Sequence, residues 1–341
     1  MKQVILSNLS GAAAALLLTM SAPASAQPAS TEPVLSLSKG SGQAWPQRPV
    51  RIVVGFPPGG GIDVVARLVG ARLSETLGQQ IIVDNRPGAN GILGTDIVAK
   101  AVPDGHTYFI GTTGNLSVNP VLIKNLPFNL ERDFVPVMQT SSVPFLVYTH
   151  PKVPATSLGE LIAHIKSNPG KINYYSSGNG GLPHLASELL NTLAGIKAVH
   201  VPYKGSAPGF NDLMGGQVQF GFDAVPIGLQ HVKAGRVRAV ATTGPKRLAF
   251  LPDIAAANET LKGFEVVNWY GIVAPTGTPA RAIERLHSEF TKAMAIPDLR
   301  DKLIAQGTDP VDSNPKAFGV FMKAESAKWA GVIKQANITV D

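Results

Sequence analysis

Two glycine-rich turns that lead into helices are the main candidates for chemistry in this sequence. Phe56–Gly61 joins a β-branched run to a helical one, and Ser176–Gly181 repeats the arrangement later in the chain. Glycines leave backbone N–H groups unhindered, and the following helix adds roughly half a positive charge at its N-terminus. Two such turns facing one cleft predict a receptor for a carboxylate or a phosphate. For either turn taken alone, the alternative is a tight connection in which glycine only supplies a positive φ.

Side chains near the same turns extend the candidate site, and each has an alternative structural role. Asp63 could cap a helix, Ser and Thr hydroxyls could cap turns, Asp223 could accept from a ligand amine or hydroxyl or cap the next turn, and Trp269 could line a cleft or the core. A neutral His184 imidazole could bond a ligand oxygen, or the ring could face solvent or pack against the fold. The predicted ligand-binding set is Phe56, Pro57, Gly59, Gly60, Gly61, Asp63, Thr112, Thr113, Ser177, Gly178, Gly180, His184, Tyr203, Lys204, Asp223 and Trp269.

Signatures of catalysis and of nucleotide or metal binding are missing from the sequence. There is no P-loop, G-x-G-x-x-G fingerprint, G-x-S-x-G elbow or H-E-x-x-H pair, and the seven histidines are dispersed. The absence of cysteine excludes thiol chemistry. A hydrolase built from Ser177, His184 and Asp223 can be written down, but its spacing matches no known nucleophile arrangement. We therefore predict a protein that catalyses no reaction and needs no cofactor or metal.

Alternating strand and helix patterns must position these turns. Val50–Gly55 is a strand pattern, and Val64–Leu77 follows at helical period, with Asp63 at the N-cap position and Gly78 just after the helix. Similar units recur through the middle of the chain, and a helical region follows Trp269–Ala274. This alternation predicts an α/β fold with parallel sheets flanked by helices. Ligands of such sheets bind beyond the carboxyl ends of the strands, where the glycine-rich turns lie.

The N-terminal composition predicts an exported protein. Residues 1–26 combine Lys2, a short apolar run and a small-x-small cleavage site at Ala24–Ala26, which is typical of a signal peptide. Residues 27–44, rich in Pro, Ser and Ala, predict a disordered tether. The formal net charge of +7 is spread along the chain without a basic block, which argues against a nucleic-acid partner.

The sequence resembles the substrate-binding receptors of tripartite tricarboxylate transporters, the Bug-type periplasmic proteins. The matching stretches are Trp45–Pro46, Pro49–Arg67, Val83–Gly94, Pro103–Thr107, Tyr175–Leu185, Val201–Gly205 and Asn268–Pro275. The resemblance implies a two-lobed Venus-flytrap fold of type II-like architecture. Lobe one would comprise residues 45–143 plus 263–341, and lobe two residues 144–262.

The same resemblance implies a function. A monomeric periplasmic protein would hold a small organic carboxylate on the backbone amides of Phe56–Gly61, with lobe two closing over the rest, and would deliver it to integral-membrane transporter subunits. Two alternatives remain open from the sequence. One is a receptor that presents its ligand to a membrane sensor kinase, and the other is the secreted hydrolase described above.

Overall fold

The first strand forms because nearly all of its side chains are apolar and can be buried on both faces. Val50, Ile52, Val53 and Val54 have almost no exposed surface, which is typical of a strand covered by helices on both sides. The parallel neighbours of this strand are Ile81–Asn85 and Thr107–Thr112. The strand therefore lies inside a parallel sheet, as its continuous apolar run predicts.

The computed structural model describes residues 45–340. The predicted signal peptide and the predicted tether lie outside the described residues. No helix in the described part of the chain is long and apolar enough to cross a lipid bilayer.

Ten strands and twelve α-helices alternate along the described chain. The strands are β1 Val50–Val54, β2 Ile81–Asn85, β3 Thr107–Thr112, β4 Phe134–Thr149, β5 Asn173–Ser176, β6 Val199–Pro202, β7 Phe220–Ala224, β8 Arg238–Thr242, β9 Val267–Pro275 and β10 Asp309–Pro310. The helices are α1 Gly61–Leu77, α2 Ile92–Ala99, α3 Asn119–Leu122, α4 Leu130–Asp133, α5 Leu158–Ser167, α6 Leu182–Ala194, α7 Ser206–Gly215, α8 Val225–Lys233, α9 Ala257–Thr260, α10 Ala280–Met294, α11 Pro297–Ala305 and α12 Pro315–Gln335.

The sheet is mixed, and its strand order is β2-β1-β3-β9-β4-β7-β5-β6, with β8 and β10 also paired to β4. The outer pairs are parallel, as predicted. The pairs in the middle, β3 with β9 and β4 with β9, β7, β8 and β10, are antiparallel, which the prediction of parallel-type sheets did not include. The α/β class with helices flanking the sheet is confirmed.

The long strand β4 organises the molecule because it belongs to both halves of the sheet. Its residues 134–144 pair with β9, and its residues 145–149 pair with β7 and β8. Strands β1 and β3 run parallel to β4, whereas β5 and β7 run antiparallel to it. The carboxyl ends of β1 and β3 therefore point toward the carboxyl ends of β5, β6 and β7. The loops after these strands face one another across the boundary between the two halves.

The final helix packs against both halves. Trp329, Val332 and Ile333 of α12 share a core cluster with Leu185 and Leu190 of α6. Earlier in α12, the fully buried Phe318 packs against Trp269 of β9. One helix therefore contacts both sides of the boundary between the two halves. The predicted lobe ranges stay a prediction.

Candidate functional site

One buried carboxylate, that of Asp63, accepts hydrogen bonds that stabilise the loop between β1 and α1. Asp63 is 3 % exposed. It accepts hydrogen bonds from the Gly59 N–H at 2.9 Å, from Asn85 Nδ2 at 2.9 Å and from Arg67 Nε at 3.0 Å. Burial alone would raise the pKa of Asp63, but the hydrogen bonds from Arg67, Gly59 and Asn85 outweigh it and hold that pKa below its ordinary value. The carboxylate is therefore ionised at neutral pH and fully engaged by the protein.

The start of α1 differs from the prediction. The helix begins at Gly61 with Gly60 as its N-cap, so Asp63 is the third helical residue and not the cap. A carboxylate at that position can reach back to the loop N–H just as a cap would, which is why the sequence pattern was ambiguous. The predicted helix end is confirmed, because Gly78 adopts the left-handed conformation there.

Four consecutive amides at the start of α1, those of residues 60 to 63, have no acceptor within residues 45–340. The first hydrogen bond into the helix comes from the Val64 N–H to the Gly60 carbonyl at 3.0 Å. The N–H groups of Gly60, Gly61, Ile62 and Asp63 precede it, and the two glycines are the exposed members of this set. Unpaired N–H groups at the positive end of a helix attract an anion. Of the predicted residues in this loop, Gly60 and Gly61 keep the proposed role, whereas the Gly59 amide is already used by Asp63.

Tyr270 of β9 lies directly beside these amides. An ideal Cβ placed on Gly61 would lie 2.9 Å from the Tyr270 hydroxyl oxygen. The tyrosine is 6 % exposed, and burial raises the pKa of its hydroxyl above the ordinary value, so it stays protonated. Tyr270 therefore places its hydroxyl next to the open amides, and the glycine at position 61 leaves room for that hydroxyl.

The loop after β2 packs against the residue that follows β1, and the predicted site did not include it. An ideal Cβ on Gly55 would lie 2.8 Å from the Gly91 Cα, so the two backbones touch. Asn115 Nδ2 donates to the Asn90 carbonyl at 2.7 Å. Asn90 and Ala89 adopt left-handed φ angles of 51° and 47°. Strained backbone held by its neighbours is typical of binding sites.

The threonines after β3 serve this scaffold. Thr112 Oγ1 donates to Asn115 Oδ1 at 3.1 Å. Thr113 is fully buried and accepts from the Trp269 N–H at 2.9 Å, which ties β3 to β9. Both hydroxyls are engaged within the protein, so they shape the site and do not offer free donors.

The structure corrects the prediction for Trp269. Its side chain has no exposed surface, and its Nε1 donates to Glu325 Oε2 at 3.2 Å. The ring packs edge-on against Phe318 and Phe321 in the core. Successive residues of a strand point to opposite faces, so Tyr270 faces the site while Trp269 faces the core.

The second glycine-rich turn, between β5 and α6, uses most of its amides internally. The Gly178 N–H donates to Ser176 Oγ at 3.2 Å, the Gly180 N–H to His184 Nδ1 at 3.1 Å and the Gly181 N–H to the Gly178 carbonyl at 3.3 Å. Ser177 is half-buried, and its hydroxyl has no partner within the described residues. The expected symmetry between the two turns is therefore wrong, because this turn cannot present a row of free backbone donors.

The remaining candidates follow β6 and β7. Tyr203 donates its hydroxyl to Asp212 Oδ2 at 2.6 Å. Lys204 is exposed and forms no ion pair within residues 45–340. Asp223 is 6 % exposed and accepts from the Ala224 N–H at 2.8 Å and from Tyr175 Oη at 3.2 Å. Burial raises the pKa of Asp223 to about 6, although the hydrogen bonds pull it down.

The residues of the hypothetical hydrolase are not joined to one another. Ser177, His184 and Asp223 share no hydrogen bond in the part of the chain that the structure describes, and His184 Nδ1 is taken by Gly180. The described residues also contain no group of three or more His, Asp or Glu side chains that could hold a metal ion. The geometry supports binding of an anion at the α1 amides and provides no assembled nucleophile.

One cavity of the described chain lies away from these loops. It measures about 490 Å³ and is lined by residues of α3, α4, β4 and α12, among them Leu130, Phe134 and Met322. None of the predicted site residues lines it. The candidate site is therefore defined by the strand ends and the open amides rather than by this cavity.

A mixed sheet whose two halves share the strand β4, with open amides in a loop at the boundary between them, is the architecture of periplasmic solute-binding proteins. Residues 65–338 match the family model described as tripartite tricarboxylate transporter family receptor. The chain belongs to this family, whose Bug-type members are solute-binding receptors.

Relatives and solved structures agree with that membership. A protein from the tcbD-tcbE intergenic region of Pseudomonas sp. strain P51 is 40 % identical over 87 % of this chain and 89 % of its own length. Protein BugT of Bordetella pertussis is 34 % identical over 87 % of this chain and 92 % of its own. The Rhodopseudomonas palustris protein Rpa4515, solved with adipate, gives a TM-score of 0.78 at 35 % identity over 86 % and 99 % of the two chains. MatC of the same species, solved with malate, gives 0.73 at 31 % identity over 85 % and 100 %.

Proposed function

We propose that this protein captures a small organic carboxylate on the open amides of Gly60, Gly61 and Ile62 and delivers it to a membrane transporter. Those amides carry the proposal, because they combine free donors, a helix N-terminus and exposure at the carboxyl end of β1. Asp63 does not repel the ligand strongly, since its charge is paired with Arg67 and its oxygens are turned away into the loop.

The ligand class is supported by the relatives. Adipate and malate, the ligands named for two similar structures, are small dicarboxylates. A periplasmic location and hand-over to transporter subunits agree with the family description and with the predicted signal peptide. We assign no reaction to the site.

Closure around the ligand would bring the two sets of facing loops together. In this proposal lobe one comprises residues 45–143 and 263–341, and lobe two comprises residues 144–262. The sides already touch where α12 packs against α6 and at the Gly180 turn, where an ideal Cβ on Gly180 would lie 2.5 Å from Leu122 Cδ2. A ligand shifts an equilibrium between open and closed forms only through contacts that are better in the closed form.

Thermal unfolding with a panel of mono-, di- and tricarboxylates tests the function. A ligand present at a hundredfold excess over its Kd should stabilise the protein by about 2.7 kcal/mol. Neutral esters of the same acids serve as matched controls and should have no effect. Absence of stabilisation by every carboxylate at millimolar concentration would contradict the proposal.

Crowding the first loop should weaken binding. We expect Gly61→Ala to reduce carboxylate affinity about tenfold, because its Cβ would meet the Tyr270 hydroxyl at 2.9 Å and displace the start of α1. Calorimetric titration measures this. Removal of the hydroxyl in the double variant Gly61→Ala, Tyr270→Phe should recover part of the lost affinity relative to Gly61→Ala alone. A double variant that binds no better than Gly61→Ala would show that this steric account is wrong.

A further inference from the structure

Three nearly parallel rings pack together behind the second glycine-rich turn, and we call this group the column. His200 of β6 contacts both other rings, with ring centres 5.0 Å from Tyr174 of β5 and 3.8 Å from His184 of α6, and the centres of Tyr174 and His184 are 6.5 Å apart. The interplanar angles are 17° and 12°. The outer hydroxyl of Tyr174 donates to Glu188 Oε1 at 2.5 Å. The column therefore holds both imidazoles in fixed orientations.

Each imidazole of the column is bonded to the turn. His200 Nε2 lies 2.6 Å from Ser176 Oγ, and that oxygen accepts from the Gly178 N–H. His184 Nδ1 accepts from the Gly180 N–H. A backbone N–H can only donate, so His184 Nδ1 carries no proton and the ring proton of neutral His184 must be on Nε2.

The Nε2 atom of His184 is the free end of this arrangement. It has no hydrogen-bond partner within residues 45–340, and it is not among the buried unpartnered atoms of the described chain, so it reaches the surface. Burial lowers the pKa of His184, and the opposing pull of Glu188 does not offset it. Burial and then the neighbouring His184 lower the pKa of His200 to about 4. Burial therefore favours the neutral form of both rings.

We infer, on the basis of the function proposed above, that the His184 Nε2–H donates a hydrogen bond to the far end of the ligand from the second side of the cleft. His200 is then the residue that positions the His184 ring. A neutral N–H group can donate a hydrogen bond but cannot accept one. The site therefore binds a ligand oxygen acceptor in preference to an ammonium group. The ligand class is then a carboxylate whose far end is a second carboxylate or another acceptor oxygen.

The charged groups around the cleft also affect the preference for an oxygen acceptor over an ammonium group. Within the column, Glu188 is bonded to Tyr174 and Asn191 and does not contact the free Nε2. Lys204 on the next loop is exposed and favours a second carboxylate as well. Asp223 would favour an ammonium group, but its oxygens are held by Ala224 and Tyr175.

Matched ligand pairs test the selectivity. Adipate and 5-aminopentanoate have the same number of methylene groups and differ in a far carboxylate or ammonium, as do succinate and 3-aminopropanoate. Calorimetric titration at pH 7.5 should give at least tenfold tighter binding for the dicarboxylate of a pair that binds. Tighter binding of the amino acid would overturn the inference and identify Asp223 as the recognising group. Failure of all four ligands, together with the whole carboxylate panel, would overturn the proposed function itself.

Variants of the column separate positioning from folding. His184→Phe keeps a stacked ring but loses the donor and should weaken dicarboxylate binding at least tenfold, whereas His184→Gln restores an N–H donor and should recover part of it. In the ¹⁵N NMR spectrum His184 should show the Nε2–H tautomer, and His200→Ala should give a mixture of tautomers with weaker binding. His164→Gln, on α5 outside the column, is the control and should change neither. Unchanged affinity in His184→Phe, or an Nδ1–H tautomer in the wild type, would overturn the inference.

Discussion

Replacing Asp63 by alanine is expected to lower carboxylate affinity at least tenfold and the free energy of unfolding by about 3 kcal/mol. The variant leaves the Gly59 N–H and one Asn85 proton without their acceptor, and buried donors that lose a charged partner cost a few kcal/mol together. Removing a negative charge beside an anion site would by itself strengthen binding. A loss of affinity therefore reports the disordering of the loop and not the change in charge.

Calorimetric titration and urea denaturation measure the two effects of Asp63→Ala. Glu75→Ala is the matched control, because Glu75 lies on the same helix and forms an exposed ion pair with Arg72. It should change both quantities little, since exposed pairs contribute under about 1 kcal/mol. Equal or tighter binding by Asp63→Ala would show that the loop does not need this carboxylate.

Replacing Asp223 by asparagine is expected to stabilise the protein at pH 7.5 by about 3 kcal/mol. Burial raises the pKa of Asp223 from 3.8 to about 6, and each pKa unit corresponds to about 1.4 kcal/mol. Between these two pH values the folded state binds a proton that the unfolded state has lost. The contribution of Asp223 to stability is therefore fully present below pH 3.8 and is lost as the pH rises through 6.

Urea denaturation of wild type and Asp223→Asn at pH 7.5 and pH 4 measures this difference. The stabilisation should be large at pH 7.5 and nearly absent at pH 4, and the comparison cancels the titration of all other groups. Asparagine can keep the hydrogen bond from the Ala224 N–H through its own carbonyl. A variant that is less stable than the wild type at pH 7.5 would mean that the ionised carboxylate is stabilised by its partners more than burial destabilises it.

Local patterns predicted most of the secondary structure. Strand β1 ends one residue before the predicted Gly55, and helix α1 ends at the predicted Leu77. Strand β4 was missed because polar residues and two prolines interrupt its 16 residues, and it is continuous only because several strands pair with it along its length. The antiparallel pairing in the middle of the sheet has the same origin, since no local signal sets the direction of neighbouring strands.

The candidate site was predictable in position but not in its hydrogen bonds. Glycine-rich composition identified both turns, yet only the structure shows that the Gly180 amide is bonded to His184 while the Gly61 amide is open. Asn85 and His200 were missed because their roles arise from contacts with residues distant in sequence. For Trp269 and Tyr270 the sequence left the face of the strand undecided, and the pairing register settled it.

A crystal structure with the tightest-binding dicarboxylate of the panel tests the central claim most directly. We predict one ligand carboxylate within about 3 Å of the Gly60, Gly61 or Ile62 nitrogen atoms, or joined to them by one ordered water. A ligand bound with no contact to those amides, for example in the cavity beside Leu130 and Met322, would contradict the account.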